Sequence, residues 1–191
     1  MIAALFVQRG GVYFGIPGVD PWDERRDARQ YPGPWPVVAH PPCARWSMLA
    51  AAAEKCYGRR RGEDGGCFAS ALAAVRRWGG VLEHPAETAA WPAFGLPRPS
   101  RTGGWERTPD GGWVCWVEQG HYGHPAAKPT WLYVAGVDSP PDLRWGPCAD
   151  ATCTVCELSG KGGRRSRTPG EFRGVLLSIA RQARPASSEV A

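Results

Sequence analysis

The clearest pattern in the chain is an apolar strand, a helix and a second strand in succession. A β-branched run begins at Val37 and stops at Pro41-Pro42, where proline can no longer donate to a sheet. Residues 67–78 carry apolar side chains at helical spacing. Residues 81–85 begin apolar and end on a proline. This alternation predicts a parallel strand–helix–strand unit.

Other segments complete the predicted fold. Residues 2–7 and 11–16 are apolar and are joined through Arg9-Gly10, which predicts two strands and a tight hairpin-like turn. Aromatic and β-branched residues over 113–118 and 130–137 predict an antiparallel hairpin. Further helices are predicted over residues 45–57, 88–94 and 169–184. We therefore expect a small α/β sheet that is mostly parallel, with one antiparallel hairpin.

The length and composition fit one folded domain. The chain has 191 residues, of which 43% are hydrophobic and ten are tryptophan, so it can bury one core and is not disordered. We expect a single α/β domain over residues 1–185, a cysteine-containing loop inserted at about 138–167, and a frayed tail over 186–191.

No membrane partner is expected. Apolar runs stay shorter than the roughly 18 residues that cross a bilayer, and no basic region precedes the apolar start of the chain. We expect a cytoplasmic location, in a bacterium or a phage-infected cell. The formal net charge of +5 permits a polyanionic partner without requiring one. Basic clusters at residues 59–61 and 161–167 are either phosphate contacts or solvated loops.

Cys43 directly follows the first strand of the central unit and precedes a helix-favouring run. The carboxyl ends of strands are where α/β sheets bind their ligands. A helix N-terminus also lowers the pKa of a thiol, so we expect Cys43 to be reactive and part-exposed. The alternative is that Cys43 is a small buried residue without chemistry.

A carboxyl group is expected beside this thiol. Glu83 lies in the second strand of the unit, and neighbouring strands run about 4.8 Å apart. A thiolate adds to an electron-poor ring, and a carboxylic acid can protonate that ring. Cys43 and Glu83 therefore suit addition to ring carbon 6 of a pyrimidine, with nitrogen 3 protonated and carbon 5 made nucleophilic.

Three motifs, in this order, resemble those of the cytosine-5 DNA methyltransferases. Residues 41–47, Pro-Pro-Cys-Ala-Arg-Trp-Ser, are similar to the family's Pro-Pro-Cys-Gln-x-Phe-Ser loop. Residues 82–85, Leu-Glu-His-Pro, resemble its Glu-Asn-Val strand end. Residues 122–130, Tyr-Gly-His-Pro-Ala-Ala-Lys-Pro-Thr, are similar to its Tyr-Gly-Val-Pro-Gln-x-Arg-x-Arg segment. The resemblance covers roughly residues 32–136.

The resemblance implies a fold, a cofactor and a role for each residue. It implies a Rossmann-like, methyltransferase-type sheet with Cys43 as the nucleophile, Glu83 as the proton donor and Lys128 in place of a base-orienting arginine. It implies S-adenosylmethionine as the cofactor, and DNA or a pyrimidine nucleotide as the partner. The residues expected to bind the cofactor are Phe6, Gly10, Asp20 and Pro41.

The chain departs from the family pattern at several positions. The family's glutamine is Ala126 here, and its second arginine is Thr130. The N-terminal cofactor unit is shortened, so we expect the cofactor pocket to be absent or rebuilt. A separate target-recognition domain does not fit, unless residues 86–112 and 138–167 serve in its place.

Three cysteines near the C-terminal half have the spacing of a metal site. We call Cys148, Cys153 and Cys156 the loop cysteines. Their Cys-x4-Cys-x2-Cys spacing predicts a structural zinc ion, and the alternative is three free thiols. The candidates for a fourth zinc ligand are Cys67, Cys115, His121 and His124.

Two functions follow from these patterns. The first is a pyrimidine carbon-5-modifying enzyme, a methyltransferase-like transferase. The second is a catalytically inactive, methyltransferase-like nucleic-acid-binding module stabilised by zinc. An intact cofactor pocket built from residues 1–30 would favour the enzyme. The histidines near the motifs are interpreted as hydrogen-bonded structural residues: His40, His84, His121 and His124.

Overall fold

The described part of the chain forms a mixed sheet with helices on both faces. The computed structural model describes residues 1–47, 50, 54, 58, 60–149, 153–154, 158 and 167–186. The strands are β1 (Ile2–Leu5), β2 (Val19–Trp22), β3 (Val37–Ala39), β4 (Gly80–Pro85), β5 (Glu106–Arg107), β6 (Trp113–Glu118), β7 (Ala126–Ala127), β8 (Pro129–Ala135) and β9 (Cys153–Thr154). The helices are α1 (Cys67–Trp78), α2 (Ala90–Ala93) and α3 (Gly170–Gln182), with 3-10 turns at Ala28–Gln30 and Gln119–Tyr122.

Within these residues the main sheet has the strand order β2-β1-β3-β4-β8-β6-β5, and β7 pairs separately with β9. Strands β2, β1, β3 and β4 run parallel to one another. The unit β3–α1–β4 therefore has the predicted parallel arrangement, and α1 has its predicted bounds. Strands β6 and β8 form the predicted antiparallel pair.

The expectation of a mostly parallel sheet is wrong. Strands β4 and β6, six residues each, pair along their whole length with the antiparallel β8. The parallel strands β1 and β3 are only four and three residues long. The longest ladders in the sheet are thus antiparallel, because β8 inserts between two strands that both run in the opposite direction.

The N-terminal hairpin predicted from residues 2–7 and 11–16 is also wrong. Residues 12–15 form a turn, and the second strand is β2, which runs parallel to β1. Gly15 and Gly18 adopt φ values of +74° and +77°, which interrupt an extended chain. The connection over residues 6–18 is long enough for the crossover that a parallel pair requires.

Alternate residues of the central strands face two separate cores. Val38 and Val81 face one side of the sheet, whereas Ala39 and Leu82, one position further on, face the other. Helix α3 covers the first side with Phe172, Leu176 and Ile179. Helix α1 covers the second side with Phe68, Leu72 and Val75.

Two predicted segments lie largely outside the described residues. The helix predicted over 45–57 is described there only at its first three residues and at Ala50 and Glu54, both of which are helical. Of the two basic clusters, Arg60, Arg61 and Arg167 are described. In the part of the chain that the structure describes, no helix combines the length and apolarity needed to cross a bilayer.

Candidate functional site

The site lies where the strand order reverses. In the sheet, β2 lies on one side of β1 and β3 lies on the other. The chain runs outward from β1 to β2 and, in the opposite direction, from β3 to β4, so the strand order reverses between β1 and β3. In α/β sheets, ligands bind outside the carboxyl ends of the strands at such a reversal. Phe6 follows β1 there with a φ of 58°, a rare backbone conformation for a side chain other than glycine. His40 follows β3 at the neighbouring position.

Glu83 is the buried anion of the site. It is only 7% exposed and lies in β4, one strand away from His40. Its Oε2 accepts a hydrogen bond from Nδ1 of His40 at 2.9 Å, and its Oε1 accepts one from Nε2 of Gln119 at 3.0 Å. Burial by itself would raise the pKa of Glu83, but the His40 hydrogen bond and the positive charge of Lys128 outweigh burial and lower the pKa to about 2. The carboxyl group is therefore ionised at neutral pH.

The hydrogen-bond chain continues on both sides of Glu83. Nε2 of His40 lies 2.8 Å from the hydroxyl of Tyr13, a residue that is 2% exposed. Burial, with the charge of Glu83, raises the pKa of Tyr13 well above its ordinary value, so the phenol keeps its proton. Nε2 of Gln119 also donates to Oγ1 of Thr130 at 2.9 Å. A continuous network thus links the turn after β1 to the start of β8.

Cys43 is part-exposed, as predicted, but its thiol is not activated. Burial raises the pKa of Cys43, the negative charge of Glu83 raises it further, and Lys128 lowers it only in part. The expectation of a lowered pKa is therefore wrong. The carboxylate beside the thiol disfavours a second negative charge there.

Lys128 completes the group of three predicted catalytic residues. It is 8% exposed, and its Nζ donates to the carbonyl oxygen of Arg167 at 3.3 Å. Burial lowers the pKa of Lys128, and the interactions with Glu83 and Cys43 offset this only in part. Glu83 and Lys128 each act electrostatically on the other and on Cys43.

His84, next to Glu83 in the chain, faces the opposite core. Its ring contacts Phe68 edge-on with centroids 5.2 Å apart and stacks on Trp91. Burial lowers the pKa of His84 to about 4, so this ring stays neutral at pH 7. Because side chains alternate along β4, His84 belongs to the core and Glu83 to the site.

The predicted cofactor residues do not form one set. Phe6 and Pro41 follow β1 and β3, on either side of the strand reversal, and Gly10 lies in the turn after β1. Asp20 instead lies within β2, opposite Ala3, and its carboxylate accepts from Nε1 of Trp22 at 2.8 Å and pairs with Arg26. Those hydrogen bonds outweigh burial and lower the pKa of Asp20.

A better-placed acidic residue is Asp23, which directly follows β2 and is 7% exposed. An acidic residue at the end of the second strand is where a nucleoside ribose is bound in doubly wound sheets. One oxygen of Asp23 accepts from the backbone N–H of Arg25 at 3.0 Å. The residues predicted to bind S-adenosylmethionine therefore do not fit as a whole. Asp23 replaces Asp20 as the acidic candidate for binding the ribose.

The predicted zinc site is described only in part. Cys156 lies outside the described residues. The backbone N–H of Cys148 donates to Oε2 of Glu118 at 3.1 Å, and Cys153 begins β9. Among the described residues, no three His, Cys, Asp or Glu side chains converge as a metal-binding group. A zinc ion on the loop cysteines stays a prediction.

The four candidates for the fourth zinc ligand lie in different parts of the structure. Cys115 is fully buried in β6, and Cys67 begins α1. Nε2 of His121 hydrogen-bonds the carbonyl of Gly146 at 2.9 Å, and Nδ1 of His124 hydrogen-bonds that of Ala126 at 2.9 Å. The two histidines therefore have the hydrogen-bonded structural partners that we expected of them.

Two open surface cavities lie at the other end of the sheet. One, of about 340 Å³, is lined by Ile2, Gly18 and Pro36, which are beside the amino ends of β1, β2 and β3. The other, of about 500 Å³, lies between Val137 and the end of α3. Neither cavity contains a residue of the site.

Tyr13, His40 and Gln119 were missed as site residues by the sequence reasoning. The sequence places His40 beside the motif and favours a structural role, although the position of His40 directly after β3 is a usable signal. Tyr13 was assigned to a strand that does not form, and Gln119 has no local pattern that distinguishes it.

Searches against family models, curated proteins and solved structures found no match to this chain. The geometry of the site therefore carries the assignment of function.

Proposed function

We propose that this protein is a methyltransferase-like enzyme that modifies a pyrimidine, cytosine above all, at ring carbon 5, in DNA or in a nucleotide. The observation that carries the proposal is the electrostatic interaction, at one edge of the sheet, of a thiol on the loop after β3, a buried carboxylate in β4 and a buried ammonium group just before β8: Cys43, Glu83 and Lys128. A Rossmann-like, methyltransferase-type sheet belongs to the same proposal, and the reversal of strand order beside the site supports it.

The proposed reaction begins with covalent addition. The S–H bond of Cys43 breaks and its proton leaves to solvent, while a bond forms between sulfur and ring carbon 6. Nitrogen 3 takes up a proton, and the electron pair of the double bond becomes available at carbon 5. Carbon 5 then attacks an electrophile and loses its hydrogen as a proton. Nitrogen 3 returns its proton, and the sulfur–carbon bond breaks to release the product.

Glu83 and Lys128 divide the electrostatic work of this step. An ionised Glu83 is an acceptor only, and it suits the exocyclic amine of cytosine better than the carbonyl of uracil. Lys128 places a positive charge beside the thiol and the carboxylate, which favours the thiolate that adds to the ring. Cytosine is therefore preferred to uracil as the substrate base.

S-adenosylmethionine is the proposed methyl donor, and Asp23 is the residue proposed to bind its ribose. When bound, this cofactor would supply the electrophilic methyl group for carbon 5. Since the predicted set of cofactor residues does not fit as a whole, the test of function is chosen to be independent of the donor.

Solvent exchange at carbon 5 provides such a test. Addition of Cys43 makes carbon 5 basic, so in D2O it takes up a deuteron and, on reversal, loses the original proton. We expect the protein to raise the mass of cytosine by about one unit at carbon 5, without any methyl donor. The substrates to compare are deoxycytidine monophosphate, deoxyuridine monophosphate, and single- and double-stranded oligonucleotides.

Variants of the two reacting groups make the test specific. Cys43→Ser and Glu83→Gln should each slow exchange by roughly a hundredfold or more. The double variant should be no slower than either single one, because both groups serve the same step. Cys67→Ser, at the start of α1, is the matched control and should exchange at the wild-type rate. Lack of exchange by the wild type on every substrate, or unchanged exchange in Cys43→Ser, would refute the proposed function.

One observation favours the second candidate function, a nucleic-acid-binding module without catalysis. Burial and the charge of Glu83 raise the pKa of Cys43, as expected of an inert thiol. Such a module would bind oligonucleotides with a strong dependence on salt and would exchange no hydrogen at carbon 5.

A further inference from the structure

Both ring nitrogens of His40 are engaged by titratable partners. Nδ1 lies 2.9 Å from Oε2 of Glu83, and Nε2 lies 2.8 Å from the hydroxyl of Tyr13. The His40 side chain is 13% exposed, and that of Glu83 is 9% exposed. This arrangement joins a carboxylate, an imidazole and a phenol in a line that is nearly closed to solvent.

The partners determine where hydrogens lie on the ring. An ionised carboxylate only accepts, so before the transfer the hydrogen between Nδ1 of His40 and Oε2 of Glu83 lies on Nδ1. A phenol both donates and accepts, so Tyr13 fits either form of Nε2. It donates to Nε2 of a neutral ring and accepts from Nε2 of a cationic ring. His40 can therefore gain or lose a proton without moving any heavy atom.

The groups around His40 are of both signs. Cys43 is on its own loop, Glu83 comes from β4, and Lys128 comes from the segment just before β8. Arg173 of α3 acts on Tyr13, and His84 acts on Glu83 from the opposite face of β4. Among these groups, Glu83 is the one that hydrogen-bonds Nδ1 of His40.

We infer that His40 is a positioning residue that stores the proton which Glu83 passes to nitrogen 3 of the substrate ring. This inference rests on the proposed function and adds the source of the proton. Glu83 is ionised at rest and so has no proton of its own to give. The expectation that Glu83 is itself the resting proton donor is replaced by a pair in which His40 holds the proton and Glu83 transfers it.

The proton in this step moves from His40 through Glu83 to nitrogen 3 of the substrate ring. The N–H bond at Nδ1 of cationic His40 breaks, and an O–H bond forms at Oε2 of Glu83. The hydroxyl rotates toward the ring, its O–H bond breaks, and an N–H bond forms at nitrogen 3. His40 is then neutral, with Nε2–H donating to Tyr13, and the Glu83 carboxylate accepts from the new N–H bond at nitrogen 3 instead of from Nδ1. On elimination the proton returns to His40 by the same route.

The test combines exchange kinetics with the titration of His40. Deuterium exchange at cytosine carbon 5 is measured between pH 5 and pH 9, and the protonation of His40 is followed by NMR on 15N-histidine-labelled full-length protein. We expect the exchange rate to fall as pH rises through the proton loss of His40. Coincidence of the two midpoints supports proton storage.

His40→Asn separates proton storage from hydrogen bonding, because the asparagine amide nitrogen replaces Nδ1 as a donor to Glu83 but does not titrate. We expect deuterium exchange at pH 6 to slow by at least about tenfold in this variant. The fall of the exchange rate with rising pH that is assigned to His40 should also be lost. Tyr13→Phe should move that fall to lower pH, because the cation loses a stronger, charge-assisted hydrogen bond than the neutral ring does. Arg181→Gln, in the last turn of α3 and lining the cavities at the other end of the sheet, is the control.

The outcomes distinguish this inference from the proposed function. Exchange by the wild type with an unchanged rate and pH profile in His40→Asn would overturn proton storage and leave the cysteine chemistry intact. A rate limb that does not coincide with the His40 titration would do the same. Failure of the wild type to exchange any substrate would overturn both.

Discussion

Ionised Glu83 stabilises the folded protein at neutral pH, and this contribution can be measured. The pKa of Glu83 is about 2 in the folded protein, against an ordinary value of 4.5. A carboxyl group whose folded pKa is lowered stabilises the fold above its unfolded pKa, and the stabilisation is lost as pH falls through the folded pKa. A difference of about 2.5 units corresponds to about 3 kcal/mol of unfolding free energy, of which about 2 kcal/mol disappears between pH 5 and pH 3.

Glu83→Gln removes the titration and keeps the size of the side chain. The glutamine oxygen can still accept from Gln119, and its amide can face Nδ1 of His40 if the ring hydrogen moves to Nε2. We expect the wild type to lose about 2 kcal/mol more than this variant between pH 5 and pH 3. Other carboxylates with lowered pKa values, such as Asp20 and Asp110, are present in both proteins and cancel in the comparison.

Urea denaturation followed by tryptophan fluorescence measures the free energies, since the chain has ten tryptophans. Titrations of both proteins at pH 5, 4 and 3 give the two slopes. Parallel pH dependence in the wild type and Glu83→Gln would refute the reasoning, because it would mean that Glu83 binds its proton equally well folded and unfolded.

Three further predictions concern other parts of the molecule. Iodoacetamide should alkylate Cys43 at pH 7 more slowly than a free model thiol, and faster in Glu83→Gln than in the wild type; a wild-type rate above the model thiol would contradict the raised pKa. Elemental analysis should find about one zinc per chain on the loop cysteines, and strong chelators should lower the melting temperature; metal-free protein with an unchanged melting curve would end this idea. Phe172→Ala, at a fully buried position of α3, should lower the unfolding free energy by about 3–5 kcal/mol, whereas Phe14→Ala, at a position 39% exposed, should change it little; equal effects would contradict the placement of α3 on the core.

Local patterns predicted the elements that carry their own signal. Helix α1 has its predicted bounds because its apolar residues recur at helical spacing, and β6 has its predicted bounds because it is aromatic and β-branched throughout. The pattern over residues 11–16 was equally apolar but predicted a strand that does not form. There the side chain of Tyr13 is buried against His40, 27 residues away, and glycine turns bend the backbone. A contact of that range leaves no trace in local periodicity.

The candidate site divides in the same way. The sequence predicted that Cys43 and Glu83 would lie at one edge of the sheet, because both come near the ends of strands. Neighbouring parallel strands end at the same edge, and the order and direction of the elements can be read from local patterns. The hydrogen-bond partners of Glu83 come from the loop after β3 and the turn after β6, so sequence spacing could not identify them.

The sequence by itself determined where the strand–helix–strand unit lies and that its strand ends carry a thiol and a carboxyl group. Only the tertiary structure decided the chemistry of those groups. Burial and the neighbouring carboxylate keep the Cys43 thiol protonated, while His40 and Lys128 keep Glu83 ionised although it is buried. The physical reason is that a pKa depends on desolvation and on the distances to charges and donors, and here those neighbours are brought from residues up to about 85 positions apart in the chain only when the sheet assembles.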